Sequence, residues 1–296
     1  MVYLLSLLAS GLMIGIIYSL MALGLTLIYS ILGIINFAHG EFYMLGGYAS
    51  YYLLRYIAGL PPLAAVPLAG LIVTLLGLLL ERWLLRPMHQ GKIERPGEYA
   101  ILITLGLAFI LQNLALAVFG PYPSRPPSFI KGSLDLGIFK MGADRAVAAA
   151  FALLLLLLLF LIINYTWVGK ALRAVSQDKE AAAVIGINPL TMNTIAFGVG
   201  AGLAAISGAL LAPIFMVTPT VGAMPGIRSY VIVVLGGLGS IPGSVLGGLI
   251  IGLVESLGTG YFPDINRAVT YKNVYGLLIF AIILLLRPRG LFGREE

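Results

Sequence analysis

The chain has 296 residues, of which 60% are hydrophobic and 10% charged, and its mean hydropathy is +1.02. This composition excludes a soluble globular domain, and no stretch is large enough for a domain that hydrolyses ATP. The net charge of +6 is assigned to lysines and arginines that flank membrane segments, and no nucleic-acid binding is predicted. With no cysteine and two histidines, the sequence predicts no metal site.

About eight apolar segments follow in chain order, and several exceed the roughly 20 residues that an α-helix needs to cross a bilayer. Their length excludes a β-barrel, whose strands alternate over about 10 residues. The predicted fold is an all-α, polytopic membrane protein with a single transmembrane domain over residues 1–296. The segments cover 3–29, 31–57, 61–84, 99–119, 146–164, 193–217, 229–257 and 274–287.

Two of these segments contain residues that disfavour a continuous helix. Segment 31–57 places Asn36, His39, Gly40 and Glu41 inside an apolar stretch. Broken helices at membrane depth are tolerated only where protein or a cavity satisfies the freed backbone groups, so both segments are predicted to line a translocation path. The alternative for the second segment is that its glycines only allow close helix packing. Its central residues are Gly236, Gly237, Gly239, Ser240, Pro242 and Gly243.

The two broken segments suggest an internal pseudo-repeat. If both re-enter as hairpins from the outer face, the other six segments cross fully and both termini lie in the cytoplasm. Residues 1–85 and 193–287 then form parallel repeats of span, broken hairpin and span. Interrupted segments in corresponding positions of two halves indicate a transport path.

Glu41 is the most unusual of the buried polar residues. An ionisable group costs a few kcal/mol near the bilayer centre, so its presence needs a reason. Glu41 lies within one helical turn of His39, and it could contact a proton or the solute, or form a structural hydrogen bond to a neighbouring helix. The structural hydrogen bond is favoured, because a lone Glu–His pair is weak support for proton coupling. Glu255 lies near the end of its segment and is expected to reach the interface.

A polar stretch, 165–192, separates two apolar segments. Ala171, Val175, Ala182 and Ile185 form one predicted apolar stripe of a helix, with charged residues opposite. An amphipathic helix between two spans is expected to dock on a partner. The alternative is a solvated loop on the membrane surface.

The orientation follows from the basic residues. We place 81–98, 165–192 and 287–296 in the cytoplasm, and these stretches hold ten of the eighteen lysines and arginines. This is a weak bias under the positive-inside rule. Arg287 and Arg289, directly after an apolar segment, are the best single indication.

Four stretches of the chain carry a resemblance to known proteins. They are ALGLTLIYSILGIINFAHGEFYMLGGYAS (22–50), GKALRAVSQDKEAAAVIGIN (169–188), VVLGGLGSIPGSVLGG (233–248) and LLLRPRGLFGR (284–294). In the same order, they closely resemble the permeases of high-affinity branched-chain amino acid ABC importers. The resemblance covers essentially the whole chain, which looks like the shorter of the two permease subunits.

The resemblance implies a permease domain that works by alternating access in a bacterial or archaeal cytoplasmic membrane, the inner membrane where two are present. It implies a heterodimer with a second permease, two cytoplasmic ATPases and a periplasmic or lipid-anchored substrate-binding protein. ATP and Mg would be bound by the ATPases, so this chain is expected to bind no cofactor and not to be an enzyme. Alternatives are a urea or short-amide permease of the same group, and a self-sufficient transporter with Glu41 and His39 as a proton relay.

The resemblance also assigns the polar stretch 165–192 to coupling with the ATPase. Glu180, Ala181 and Ala182, followed by Gly186, match the start of the EAA-x3-G loop of importer permeases. The later I-x-L-P part is absent, since Ala196 stands where its isoleucine falls. The helix is expected to lie in a groove of the ATPase, with Gly186 turning the chain. The coupling residues are Gln177, Asp178, Glu180, Ala181, Ala182 and Gly186.

Overall fold

The computed structural model describes residues 2–91, 93–130, 132–135, 140–262 and 265–293. These residues are mostly helical, which confirms the all-α polytopic fold, and six helices are long and apolar enough to cross a membrane. The helices are α1 (Val2–Leu32), α2 (His39–Tyr56), α3 (Pro62–Leu80), α4 (Arg86–His89), α5 (Pro96–Phe119), α6 (Ala143–Tyr165), α7 (Trp167–Gln177), α8 (Lys179–Val184), α9 (Pro189–Phe215), α10 (Ala223–Gly236), α11 (Ile241–Tyr261) and α12 (Ile265–Leu286). A π-helical turn, Glu81–Leu85, joins α3 to α4, and two short antiparallel strands, β1 (Ser133–Asp135) and β2 (Lys140–Gly142), precede α6.

Local sequence explains where several helices begin. Proline occupies the first turn of α3, α5, α9 and α11, where its missing N–H is not needed and its fixed φ suits a helix. The side chains of Asn188 and Ser240 cap α9 and α11 by accepting backbone N–H groups. The predicted start of the last segment at 274 is too late, because α12 begins with polar residues that interrupt the apolar run.

Helices α1 and α9 form the centre of the molecule and run antiparallel. In each helix, 83% of the most apolar stretch of 18 residues is buried. A Cβ added at Gly24 would lie 2.5 Å from the carbonyl oxygen of Gly200, and the Ser207 hydroxyl lies 3.5 Å from the carbonyl oxygen of Ile17. The contacting residues have higher numbers in α9 where they have lower numbers in α1, so the two helices point in opposite directions.

The neighbours of these two helices reveal an inverted repeat. A Cβ at Gly15 of α1 would lie 3.0 Å from the carbonyl oxygen of Gly248 in α11, while one at Gly77 of α3 would lie 3.1 Å from Cα of Gly198 in α9. Residues 2–80 and 189–261 thus repeat the order span, broken segment, span with opposite direction. The predicted parallel repeats are wrong, because the second half crosses the membrane the other way.

One end of the molecule, here called the α7–α8 end, gathers the basic loops. Lys179 and His89 each place a side-chain nitrogen 3.4 Å from the carbonyl oxygen of Leu32, and the Leu291 amide donates to Leu235 at 2.9 Å. The loops 81–98 and 165–192 and the described part of the tail therefore share this end, as predicted. Residues 92 and 294–296 of these stretches lie outside the described residues.

The first and the last described residues lie at opposite ends of the molecule. The Tyr3 hydroxyl donates to the Gly260 carbonyl at 2.7 Å, which places the start of α1 at the end opposite α7–α8, whereas the chain after α12 is at the α7–α8 end. The prediction of both termini on one side is wrong. Segment 229–257 contains the end of α10 and most of α11, which is a full span, and segment 31–57 continues through the membrane instead of turning back.

Candidate functional site

The N-termini of α2 and α10 meet inside the membrane, and this meeting point, around Gly40 and Gly222, is here called the junction. His39 opens α2 beside Met21, which lies about 16 Å from the end of α1 at Leu32. A Cβ on either Gly40 or Gly222 would overlap the carbonyl oxygen of the other glycine. The chain thus enters the membrane from opposite ends as the non-helical segments 33–38 and 216–222. Beyond the point where they meet, it continues as α2 and α10.

Segment 33–38 is non-helical and ends in a turn, in which the His39 amide donates to the Asn36 carbonyl at 3.1 Å. Its residues alternate between burial and exposure. Ile35 and Phe37 are exposed, while Ile34, Asn36 and Ala38 are buried. The Asn36 side chain accepts a hydrogen bond from the Ala38 amide at 3.1 Å. Its carbonyl oxygen accepts the hydroxyl of Tyr230, which ties the segment to α10.

His39 is turned away from Glu41. Its Nε2 lies 3.0 Å from the carbonyl oxygen of Met21, and its ring lies against Gly24 of α1. Residues two apart on a helix do not face each other, and no contact joins the two side chains among the described residues. His39 therefore positions the start of α2, and the His39–Glu41 pair of the proton-relay alternative is not assembled.

The Glu41 side chain is 7% exposed, and its Oε2 is buried without a hydrogen-bond partner among the described residues. It lies in the first turn of α2, where the helix dipole favours an acidic group. The predicted structural hydrogen bond to a neighbouring helix is therefore wrong for this chain on its own.

The junction has one open face. Ile35 and Phe37 of segment 33–38 are 42% and 37% exposed, and Met224 and Ile227 of α10 are 50% and 49% exposed. Phe37 packs against Tyr230 of α10, so these exposed residues belong to one surface. Non-helical backbone at membrane depth does not face lipid, which indicates a partner or a water-filled path on this side.

The glycine-rich stretch 236–243 lies elsewhere. It forms the turn between α10 and α11 at the α7–α8 end, with positive φ angles of 100° at Gly237 and 83° at Gly239. Gly236 and Gly243 pack backbone against backbone, and the Ser240 side chain caps α11 next to Pro242. The prediction that this stretch is a broken helix in the path is wrong, because the chain changes direction there at a helix end.

The break of the second half is segment 216–222, which sequence reasoning missed. A pair of backbone hydrogen bonds of 2.8 Å joins Val217 to Ser124 in the loop that follows α5, and Arg125 of the same loop donates to the Pro213 carbonyl at 2.7 Å. Pro219 and Gly222 are the local signals that could have revealed this break.

A buried ion cluster lies next to the junction. Glu255 is 2% exposed, forms ion pairs with Arg228 at 2.7 Å and Lys272 at 3.2 Å, and accepts a hydrogen bond from the Tyr18 hydroxyl at 3.1 Å. The Arg228 guanidinium also lies 5.3 Å from the centre of the Tyr18 ring. The prediction that Glu255 reaches the membrane interface is wrong, since α1, α10 and α12 surround it. The cluster joins three helices of the second half to α1.

The stretch 165–192 folds into two helices with a sharp joint. Gln177 ends α7, and the Asp178 side chain caps α8 by accepting the Glu180 and Ala181 amides at 2.8 and 3.0 Å. At its other end the Ile187 amide donates to Ala182 and the Gly186 amide to Ala183, a Schellman motif. The φ of 88° at Gly186 explains why glycine turns the chain there.

Burial corrects the predicted apolar stripe. Ala182 is 2% exposed and packs inside this chain together with Ala171 and Val175, so it cannot contact a partner as predicted. Ile185 is 72% exposed instead of buried, and Val184 is 87% exposed. The joint at Asp178 changes the direction of the helix, so a single helical period does not extend across the stretch. Ala181, Val184 and Ile185, here called the α8 edge, are exposed apolar residues of α8 and its C-terminal cap.

The stretch is fixed to the spans at two points. Arg173 donates to the Ile163 carbonyl at 2.5 Å and to the Asn164 side chain at 3.0 Å. Lys179 of α8 reaches the carbonyl oxygen of Leu32, and burial lowers the pKa of its ammonium group. A displacement of α8 would therefore act on the end of α1, directly before segment 33–38.

Comparison with known proteins identifies the family. The sequence pattern described as "Branched-chain amino acid transport system / permease component" matches residues 7–286. The chain belongs to this permease family. No solved structure matches it significantly.

Two relatives of this permease cover almost the whole chain. The LivH permease protein of a high-affinity branched-chain amino acid transport system in Escherichia coli (strain K12) is 33% identical over 99% of this chain and 97% of its own. The BraD permease protein of Pseudomonas aeruginosa is 33% identical over 98% of this chain and 95% of its own. The Escherichia coli LivM permease protein is 26% identical over 93% of this chain and 67% of its own.

The motifs that resemble the permease family fall on distinct parts of the structure. Stretch 22–50 forms the end of α1, segment 33–38 and most of α2, which is the first half of the junction. Stretch 169–188 forms α7 and α8, and 233–248 forms the turn between α10 and α11. The described part of stretch 284–294, up to Gly293, covers that turn, since the Phe292 amide donates to the Gly236 carbonyl at 3.0 Å.

Proposed function

We propose that this permease is the shorter permease subunit of an ABC importer that carries branched-chain amino acids into the cytoplasm. The observation that carries the proposal is the meeting of two broken helices at membrane depth in a chain of this family. Relatives named as high-affinity branched-chain amino acid permeases, at 33% identity over nearly the full length, support the substrate class.

The open face of the junction supports a second permease as partner. Ile35 and Phe37 belong to a non-helical segment and are exposed at a depth where lipid cannot satisfy backbone groups. A second permease placed there would cover this face and enclose a path between the two subunits. The similarity to a LivM permease, as well as to LivH, supports a heterodimer of related chains.

The α8 edge is the proposed docking surface for a cytoplasmic ATPase. Val184 and Ile185 are large apolar side chains exposed beyond the spans, and the caps at Asp178 and Gly186 hold the short helix that presents them. Two ATPase subunits bind ATP and Mg and supply the energy, and this chain contributes no catalytic group.

Movement of the ATPases reaches the junction through the contact between Lys179 and Leu32. Leu32 ends α1, and the next residues form segment 33–38, which leads to the Gly40–Gly222 contact. A pull on α8 therefore acts on the segment that opens the path. This connection supports alternating access, in which the junction faces one end of the molecule at a time.

The α7–α8 end is placed in the cytoplasm of a bacterial or archaeal cell, at the inner membrane where two membranes are present. The opposite end receives the amino acid from a periplasmic or lipid-anchored binding protein, which makes most of the selection between solutes. The positive-inside rule supports this orientation, because the stretches at the α7–α8 end hold ten of the eighteen lysines and arginines.

The test is reconstitution of the whole transporter in vesicles with binding protein outside and ATP inside. We expect radiolabelled leucine, isoleucine and valine to accumulate only when both permeases, the ATPases and ATP are present. Uptake of urea or acetamide in place of these amino acids would reject the substrate class. Uptake by the chain alone under a proton gradient would reject the importer assignment.

A further inference from the structure

Glu41 differs from the other buried glutamates of the described ranges. Glu255 is paired with Arg228 and Lys272, and Glu81 accepts the Thr194 hydroxyl at 2.5 Å. Glu41 is also buried, at 7% exposed, yet its Oε2 has no partner, and neither side-chain oxygen makes a hydrogen bond to the part of the chain that the structure describes. A carboxyl group in this condition costs free energy that a folded chain normally avoids.

The position of Glu41 is fixed by the junction. His39 faces α1, and Gly40 faces Gly222 directly before α10, so the next residue projects from a different side of α2. One and two helical turns further along the same side are Leu45 and Tyr48. These two residues line an apolar cavity of about 500 Å³ between α2, α3 and α5.

The chemistry of a suitable ligand follows from these neighbours. An ionised carboxylate in an apolar region needs a cation with several N–H donors, and a primary ammonium group provides three. Arg228, on the opposing broken helix, is bound by Glu255 at 2.7 Å. An amino acid with an aliphatic side chain combines an ammonium group for the carboxylate with an apolar group for the adjacent cavity.

We propose that the Glu41 carboxylate accepts the ammonium group of the amino acid as the solute passes the junction of α2 and α10. This inference rests on the proposed function and names one residue that contacts its solute. A single ion pair beside an apolar cavity binds weakly, which suits a transport path because a solute must also leave.

The experiment uses the complete transporter in vesicles with saturating, leucine-loaded binding protein. Leucine uptake and ATP hydrolysis are measured together for wild type, Glu41→Asp, Glu41→Gln and Glu41→Ala. Glu98→Gln is the matched control, because Glu98 is 66% exposed and pairs with the exposed Arg95. Copurification of the second permease and thermal unfolding of each variant report whether assembly is intact.

We expect Glu41→Gln to remain assembled and to hydrolyse ATP in response to loaded binding protein, while leucine moved per ATP falls at least about tenfold. Glu41→Asp should retain most uptake, because it keeps the charge, and Glu98→Gln should match wild type.

Glu41→Gln uptake within about twofold of wild type would overturn the inference and leave the proposed function intact. Loss of the second permease from Glu41→Gln would overturn it in favour of an ion pair between subunits. Failure of wild type to carry any amino acid would reject the proposed function and this inference together.

Discussion

Gly40 of α2 and Gly222, the residue directly before α10, are in backbone contact, and a Cβ on either would overlap the carbonyl oxygen of the other. The contact brings together two helix N-termini, which both carry positive partial charge. Glu41, in the first turn of α2, places an acidic group beside them. The two halves of the inverted repeat therefore meet at a point that only the smallest residue permits.

The first prediction concerns this contact. Gly40→Ala and Gly222→Ala should each destabilise the assembled transporter by about 1–3 kcal/mol, because the added methyl group forces two backbones apart. Amino acid uptake should fall as well, since segments 33–38 and 216–222 lose their register. Thermal unfolding in detergent and uptake in vesicles measure the two effects.

Gly106→Ala is the matched control for these variants. Gly106 lies within α5, and no atom comes within 4 Å of a Cβ placed there. Alanine should stabilise α5 by about 0.5–1 kcal/mol through its higher helix propensity. Equal unfolding temperatures for Gly40→Ala and Gly106→Ala would show that the junction is not closely packed.

Of the two helix breaks in the repeat, the one near 33–38 could be located from the sequence, and the one at 216–222 could not. Asn36, Gly40 and Glu41 interrupt an apolar run, so their effect on the helix is local and visible. Segment 216–222 looks like an ordinary link between spans, because its depth is set by the contact of Gly222 with Gly40, far away in the chain. Depth in the membrane is a tertiary property that composition does not encode.

Direction was also beyond the sequence pattern. A hydropathy profile does not show in which direction a helix crosses the membrane, so parallel and inverted repeats give the same profile. The antiparallel pairing of α1 and α9 appears only in contacts such as that between Gly24 and Gly200. The burial of Ala182 and exposure of Ile185 were misjudged for a related reason, since the cap at Asp178 ends one helical period and starts another.

The second prediction separates docking from folding in α8. Val184→Asp should leave the unfolding temperature of the permease unchanged, because this side chain is 87% exposed, but the ATPases should be lost on purification. Ala182→Arg should destabilise the permease itself, since its site is buried within the chain and an added charge has no partner there. Retention of the ATPases by Val184→Asp at wild-type stoichiometry would remove the α8 edge from the coupling surface.

The third prediction concerns the buried ion cluster. Glu255→Ala leaves Arg228 and Lys272 without their carboxylate and should cost about 3–5 kcal/mol, seen as loss of folded protein. Tyr18→Phe removes one hydrogen bond and should cost about 1 kcal/mol. Glu98→Gln, at an exposed ion pair, should change stability by less than about 1 kcal/mol. A Glu255→Ala protein as stable as Glu98→Gln would mean that the cluster does not join these helices.

The last prediction tests the connection from α8 to the junction. Lys179→Met keeps an apolar stem but removes the cation at the Leu32 carbonyl, a helix C-terminal contact of about 0.3–1 kcal/mol. ATPase binding should persist, because the α8 edge is unchanged, whereas amino acid moved per ATP should fall about two- to fivefold, the size that this free energy allows. His89 contacts the same carbonyl oxygen, so His89→Gln combined with Lys179→Met should lower the ratio further. Lys170→Met removes an exposed cation from α7 and should transport like wild type. An unchanged ratio in the double variant would show that movement reaches segment 33–38 by another route.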